Sequence, residues 1–406
     1  MTAPILLQIE ERAPAHPPAP PPGGIALWAL GFRPFYLAAS LYAALAVPLW
    51  AAMFGGGHAA AGLPGALWHA HEMVFGFALA VIVGFLFTAG RNWSGQPTPS
   101  GAALAGLLGL WLTARALAFT PWLGAALLVN VAFAWLAAVG LARALVAAGN
   151  RRNYFFVGLL VLMGVASGVM HLAALGVLPA ALDAGRLASR VGLDIVLFVM
   201  AVMAGRVVPM FTRNGVPGTQ PRQNARLERA VLGLLIALMA IDALGLSGPW
   251  LALPLALAGG VLAWRQALWQ PWRTRQVPLV WVLHAACAWL PLHLLLRAAV
   301  ELGAVLPSAA THALTTGAIG ALTLAMMTRT ARGHTGRPLR ADRVDVAIYV
   351  AVLLAGLIRV GGPLLAPGAL LTAVTLSALA WSIAFGLYAV HYGPWLVRPR
   401  LDGKPG

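Results

Sequence analysis

The stretch WHAHEMVFGFALAVIVGFLFTAG, residues Trp68–Gly90, places two histidines and a glutamate at the mouth of a run with no further charge. At 1.5 Å of rise per residue, such a run is long enough to cross the roughly 30 Å of hydrocarbon in a bilayer. Read outward from it, the chain repeats the same pattern, so a membrane decides the fold.

Of the 406 residues, 60% are hydrophobic and only 9% charged, which describes a polytopic membrane protein rather than a soluble enzyme. The formal charge of +16 does not indicate nucleic acid, because the arginines lie between apolar runs and trace no phosphate-following face. A single cysteine, Cys287, excludes an intramolecular disulfide and any CxxC metal motif. The first segment, 1–24, is Pro-rich and lacks an apolar core ahead of a cleavage site, so it reads as a disordered cytoplasmic tail. Residues 25–398 read as a single transmembrane domain, and 399–406 as a short cytoplasmic tail.

Apolar stretches near 20 residues long are expected near 33–54, 69–90, 100–120, 122–148, 153–176, 188–212, 226–246, 249–270, 277–300, 306–329, 343–365 and 368–395. The expectation is an all-α bundle of about twelve transmembrane helices, punctuated by Gly and Pro turns. Arg and Lys collect on alternate loops. Nineteen fall on the side that also carries both termini, against Arg115, Arg186, Arg190, Arg297 and Arg359 on the other. By the positive-inside rule both termini are cytoplasmic.

That topology assigns each histidine a depth. His69 and His71 open helix 2 from the outside, His171 lies near the outer end of helix 5, His293 in the outer third of helix 9, and His312 at the outer start of helix 10. Five imidazoles from four helices thus share one layer. Ionisable groups in a bilayer are costly and commonly face a cavity or cofactor, and neutral imidazole binds haem iron or copper. His284, His334 and His391 fall on the inner side, His58 in an outer loop and His16 in the tail.

Helical phase refines the layer. His69 and His71 point to opposed faces and so have different tasks, whereas His69 and Glu72 share a face. Glu72 is the candidate catalytic residue, orienting a histidine or carrying protons. His171 stands over Gly164, Ser167 and Gly168, and His312 over Thr315, Thr316, Ile319 and Gly320. A macrocycle edge fits such small-residue grooves, and close helix packing explains them equally well. Arg297, one turn beyond His293, has the planar fork that matches a haem propionate, with snorkelling to headgroups as the alternative.

The sequence resembles the NnrS family of bacterial inner-membrane proteins through GFRPFYL at 31–37, WHAHEMVFGF at 68–77, RNYFF at 152–156, GRVVPMFTRN at 205–214, and HALTTGAIG through MTRTARGHTGRPL at 312–339. The resemblance implies a haem- and copper-containing protein of twelve helices that takes part in the response to nitric oxide and nitrosative stress. It also implies a bundle distantly like the catalytic subunit of haem-copper oxidases and nitric oxide reductases, where haem ligands come from helices 2 and 10. The copper ligands of that superfamily come from helices 6 and 7, and here those helices hold no histidine.

The expectation is therefore a haem-containing protein of the bacterial inner membrane, with b-type haem and copper as a further candidate metal. It binds nitric oxide in the outer half of the bilayer and helps to remove it, in the manner of an oxidoreductase if turnover occurs. His69, His71, His171, His293 and His312 are the candidate ligands. No CxxCH or quinone motif is present, so electrons come from a partner protein or membrane quinol. A non-catalytic haem or metal transporter, or a nitric oxide sensor, is the competing expectation.

Overall fold

A computed structural model describes residues 24–57 and 62–404. The expected N-terminal tail, apart from Gly24, lies outside these residues, as do His16 and His58.

Every described element is helical, as the bilayer requires of a chain whose backbone polar groups must be satisfied within each segment. The helices are α1 Phe32–Phe54 and α2 Gly65–Ser94, then α3 Gly101–Leu117, α4 Leu123–Ala147 and α5 Phe155–Ala174. α6 Ala184–Gly215, α7 Ala225–Ala243 and α8 Ala252–Ala267 follow. The chain ends with α9 Pro278–Glu301, α10 Pro307–His334, α11 Arg343–Leu365 and α12 Leu370–Val397.

All twelve expected stretches fold as helices, but nine of them are long and apolar enough to cross a membrane among the described residues. α3 and α8 are short, at 17 and 16 residues, and α7 carries Arg226, Glu228, Arg229 and Asp242. The sequence expectation of twelve spans thus holds for the helices and their order, while length and composition support nine as membrane-spanning.

α2 and α10 are the most enclosed members of the bundle. α2 touches α1, α3, α4 and α6, and α10 touches α1, α6, α9, α11 and α12. Large apolar side chains on the outer helices, such as Leu45 and Val390, point away from the protein, as lipid-facing positions do.

The two ends of the bundle differ. At one, Arg33 at the start of α1 donates to the carbonyls of Leu396 in the last turn of α12 and Arg398 just after it, both at 2.8 Å, and Leu401 N–H bonds Thr335 O after α10 at 3.1 Å. At the other, His69 of α2 and His312 of α10 face a cavity.

α2 and α10 also share an uncommon backbone. Each changes to π-helix directly after its histidine, over Glu72–Ala78 and Ala313–Gly320. Wide turns of this kind re-aim side chains and occur disproportionately at functional sites.

Candidate functional site

The cavity has a volume of about 320 Å³ and is enclosed by α1, α2, α6, α10, α11 and α12. Its walls are mainly apolar and aromatic, including Trp50, Phe77, Ile319 and Trp381, and its polar groups include His69, His312 and Arg359. His69 stacks on Trp50 with ring centres 4.9 Å apart. Across the space, the rings of His69 and His312 lie 6.5 Å apart and within 12° of parallel.

The local backbone explains why the two α2 histidines separate. Both belong to the α-helical start of α2, where positions two apart are about 200° apart around the axis. His69 enters the cavity, while His71 turns the other way and meets His171 of α5 edge to face at 4.7 Å. The opposed faces read from the sequence are thus present.

Glu72 departs from its expected side. Sequence spacing groups it with His69, but it sits with His71, whose Nδ1 is 2.7 Å from its Oε1. Two further donors draw it there. Arg115 Nη1 donates to Glu72 Oε2 at 2.5 Å, and the Tyr42 hydroxyl donates to the same oxygen. Arg115 also donates to Asn130 Oδ1. Four of these five residues are buried and Tyr42 is half-buried, and the buried Glu72 and Arg115 each have the other as counter-charge.

Hydrogen bonds fix the histidine tautomers. With Arg115 and Tyr42 donating to the Glu72 carboxylate, His71 donates through Nδ1 and presents Nε2 to Ser167 Oγ at 2.9 Å. His171, His293 and His312 each place Nδ1 2.8 Å from a backbone carbonyl, of Ser167, Ala310 and Ser308 respectively. A carbonyl only accepts, so each ring carries its proton on Nδ1 and keeps a lone pair on Nε2. That is the state in which imidazole binds a metal. His293 Nε2 and His69 Nδ1 are buried with no hydrogen-bond partner.

The five candidate histidines therefore form two pairs and a single residue. His69 joins His312, His71 joins His171, and His293 packs behind α10 through Ala310 without lining the cavity. Among the described residues, the one group of three ligand-type side chains close enough for a metal is Asp342, Asp345 and His391. It sits at the opposite end of the bundle, where Arg332 pairs with both aspartates at 2.7 and 2.5 Å.

Arg297 has another partner than the one expected. Its fork takes both oxygens of Asp242 at 2.7 Å, with Asp194 3.8 Å away, and it does not reach the cavity. The glycines beside His171 serve helix packing: a Cβ at Gly164 would meet Trp135, and one at Gly168 would touch Val131. Along α10 the roles divide, with Thr315, Thr316 and Ile319 lining the cavity and Gly320 admitting the ring of Trp381.

Sequence reasoning missed Tyr42, Arg115 and Asn130 around Glu72, and Trp50 and Arg359 at the cavity. Arg115 and Asn130 carried a signal, since polar residues inside apolar runs seek buried partners. Which partner each finds depends on helix neighbours that one sequence does not specify.

No curated protein matches the chain. A family model described as NnrS protein matches residues 26–400, from the turn before α1 to the segment after α12. A match over nearly the whole chain shows that this multi-pass membrane protein belongs to the NnrS family.

Proposed function

We propose that the chain is a haem-containing protein of the bacterial inner membrane that binds nitric oxide and helps to remove it, with His69 and His312 holding the haem in the cavity between α2 and α10. The carrying observation is the 6.5 Å separation of their nearly parallel rings. An ion held by both imidazoles, at about 2 Å per bond, would set their ring centres up to roughly 6 Å apart. A cavity of about 320 Å³ with aromatic walls falls among the sizes that hold cofactors, and the lone pair on His312 Nε2 suits iron. Membership of a family of the nitric oxide response supplies the biological context.

Haem held there would supply a redox-active iron, and nitric oxide would bind to it in place of one of the two imidazoles. The protein's part is to hold, orient and exclude water. The Ser308 carbonyl fixes the ring of His312, Trp50 backs His69, and the apolar walls admit a small uncharged gas from the lipid. His71 and His171 form the candidate copper pair, with Glu72 and the Ser167 carbonyl holding both ring protons on Nδ1. Reduction of two nitric oxide molecules to nitrous oxide and water consumes two electrons and two protons, so a quinol or a partner protein supplies the electrons.

Purified wild type is expected to show a haem absorption band that shifts with nitric oxide. His69→Ala and His312→Ala are expected to lose most of the haem, His312→Ala more completely because its ring is the one anchored by a carbonyl. His334→Ala, at the other end of the bundle, is expected to keep it. Wild type without haem, or full haem in both cavity variants, sinks the reading. Copper quantification on His71→Ala and His171→Ala tests the second pair in the same preparation.

A further inference from the structure

We propose that the ligand of the cavity carries a carboxylate and that Arg359 of α11, steadied by Ser308 of α10, receives it. The proposal rests on the haem reading above and assigns the carboxylate to the tetrapyrrole's own acid side chains.

The five arginines on the cavity's side of the bundle set the argument. Four meet a carboxylate within the protein: Arg115 meets Glu72 at 2.5 Å, Arg186 Asp183 at 3.5 Å, Arg190 Asp242 at 3.5 Å, and Arg297 Asp242 at 2.7 Å. Arg359 differs. Among the described residues no carboxylate lies within ion-pair distance of it, and its side-chain hydrogen bond runs from Nη2 to Ser308 Oγ at 3.1 Å. It is also the arginine that lines the cavity.

A guanidinium beside an apolar wall is costly unless an anion compensates it. The other polar groups lining this space are uncharged: two imidazoles, the hydroxyls of Ser189, Ser308 and Ser377, and those of Thr311, Thr315 and Thr316. The missing negative charge is therefore expected on the ligand. Arg359 also has the right form, because a planar fork with spare N–H groups matches a carboxylate in two-point contact.

Ser308 ties this cation to the candidate iron ligand. Its hydroxyl accepts from Arg359, and its carbonyl accepts from His312 Nδ1 at 2.8 Å. One residue thus places the cation and the imidazole together. A ligand bound to His312 has its acidic edge directed toward α11.

The test uses full-length haem-bearing protein in detergent and follows haem transfer to an excess of haem-scavenging apoprotein. Arg359→Leu is expected to release haem about tenfold faster than wild type, the effect of one charge-assisted contact, with Arg359→Lys between them. In wild type exchanged with haem dimethyl ester, release is expected to match that of natural haem from Arg359→Leu. Equal release of natural haem by wild type and Arg359→Leu overturns the proposal and leaves the haem reading standing, as does ester retained as firmly as the free acid. If the Leu variant does not fold, the ester arm on wild type decides alone. Wild type that carries no haem overturns both.

Discussion

At the scale of single residues, Glu72 shows how far a spacing argument reaches. Its position at the mouth of α2, among histidines, is legible in the sequence because charge inside an apolar run is costly wherever it occurs. Its partners are not, since Tyr42 and Arg115 come from two other helices, and Asn130, which accepts from Arg115, comes from a third. The buried pair with Arg115 makes a firm prediction. Glu72→Gln leaves a guanidinium uncompensated at 5% exposure, a loss of about 3–5 kcal/mol for a broken buried pair. Removing both charges in Glu72→Gln/Arg115→Met is expected to restore much of that stability, measured as the melting temperature of the purified protein. A double variant less stable than the single one would show that the network does not act as an ion pair.

At the scale of elements, the helices were legible and their backbone irregularities were not. Length and apolarity place all twelve within a few residues, because in lipid the backbone has few alternatives to the helix. The π-helical turns after His71 and His312 leave no mark in hydropathy, yet they decide which residues face the cavity. Glycine makes the second of them compatible with its neighbours. A Cβ at Gly317 would run into the ring of Trp289 on α9, and Gly356 of α11 approaches the same point. Gly317→Ala is therefore expected to push α10 away from α9, at about 1–3 kcal/mol for an overpacked core. The haem content should fall together with the melting temperature, since His312 adjoins the displaced segment. A variant with wild-type stability and haem content would show that the Trp289 ring moves aside freely.

At the scale of the whole molecule, the charge pattern and the site give two views of one polarity. The nineteen basic residues gather at the end where α1 begins and α10 and α12 finish, and the cavity with its histidines lies at the other. If basic loops stay in the cytoplasm, both termini are inside and the cavity lies in the outer half of the membrane. In a bacterial host, a fluorescent protein fused after Gly406 should then fluoresce, and alkaline phosphatase placed there should be inactive. Phosphatase inserted in the loop between α1 and α2 should be active, because that loop leads to His69. The reverse pattern would put the cavity beside the cytoplasm, where protons for any reduction come from the cell interior. The two orientations thus differ in the side from which Glu72 and Arg359 are reached, and the fusions decide between them before any turnover is measured.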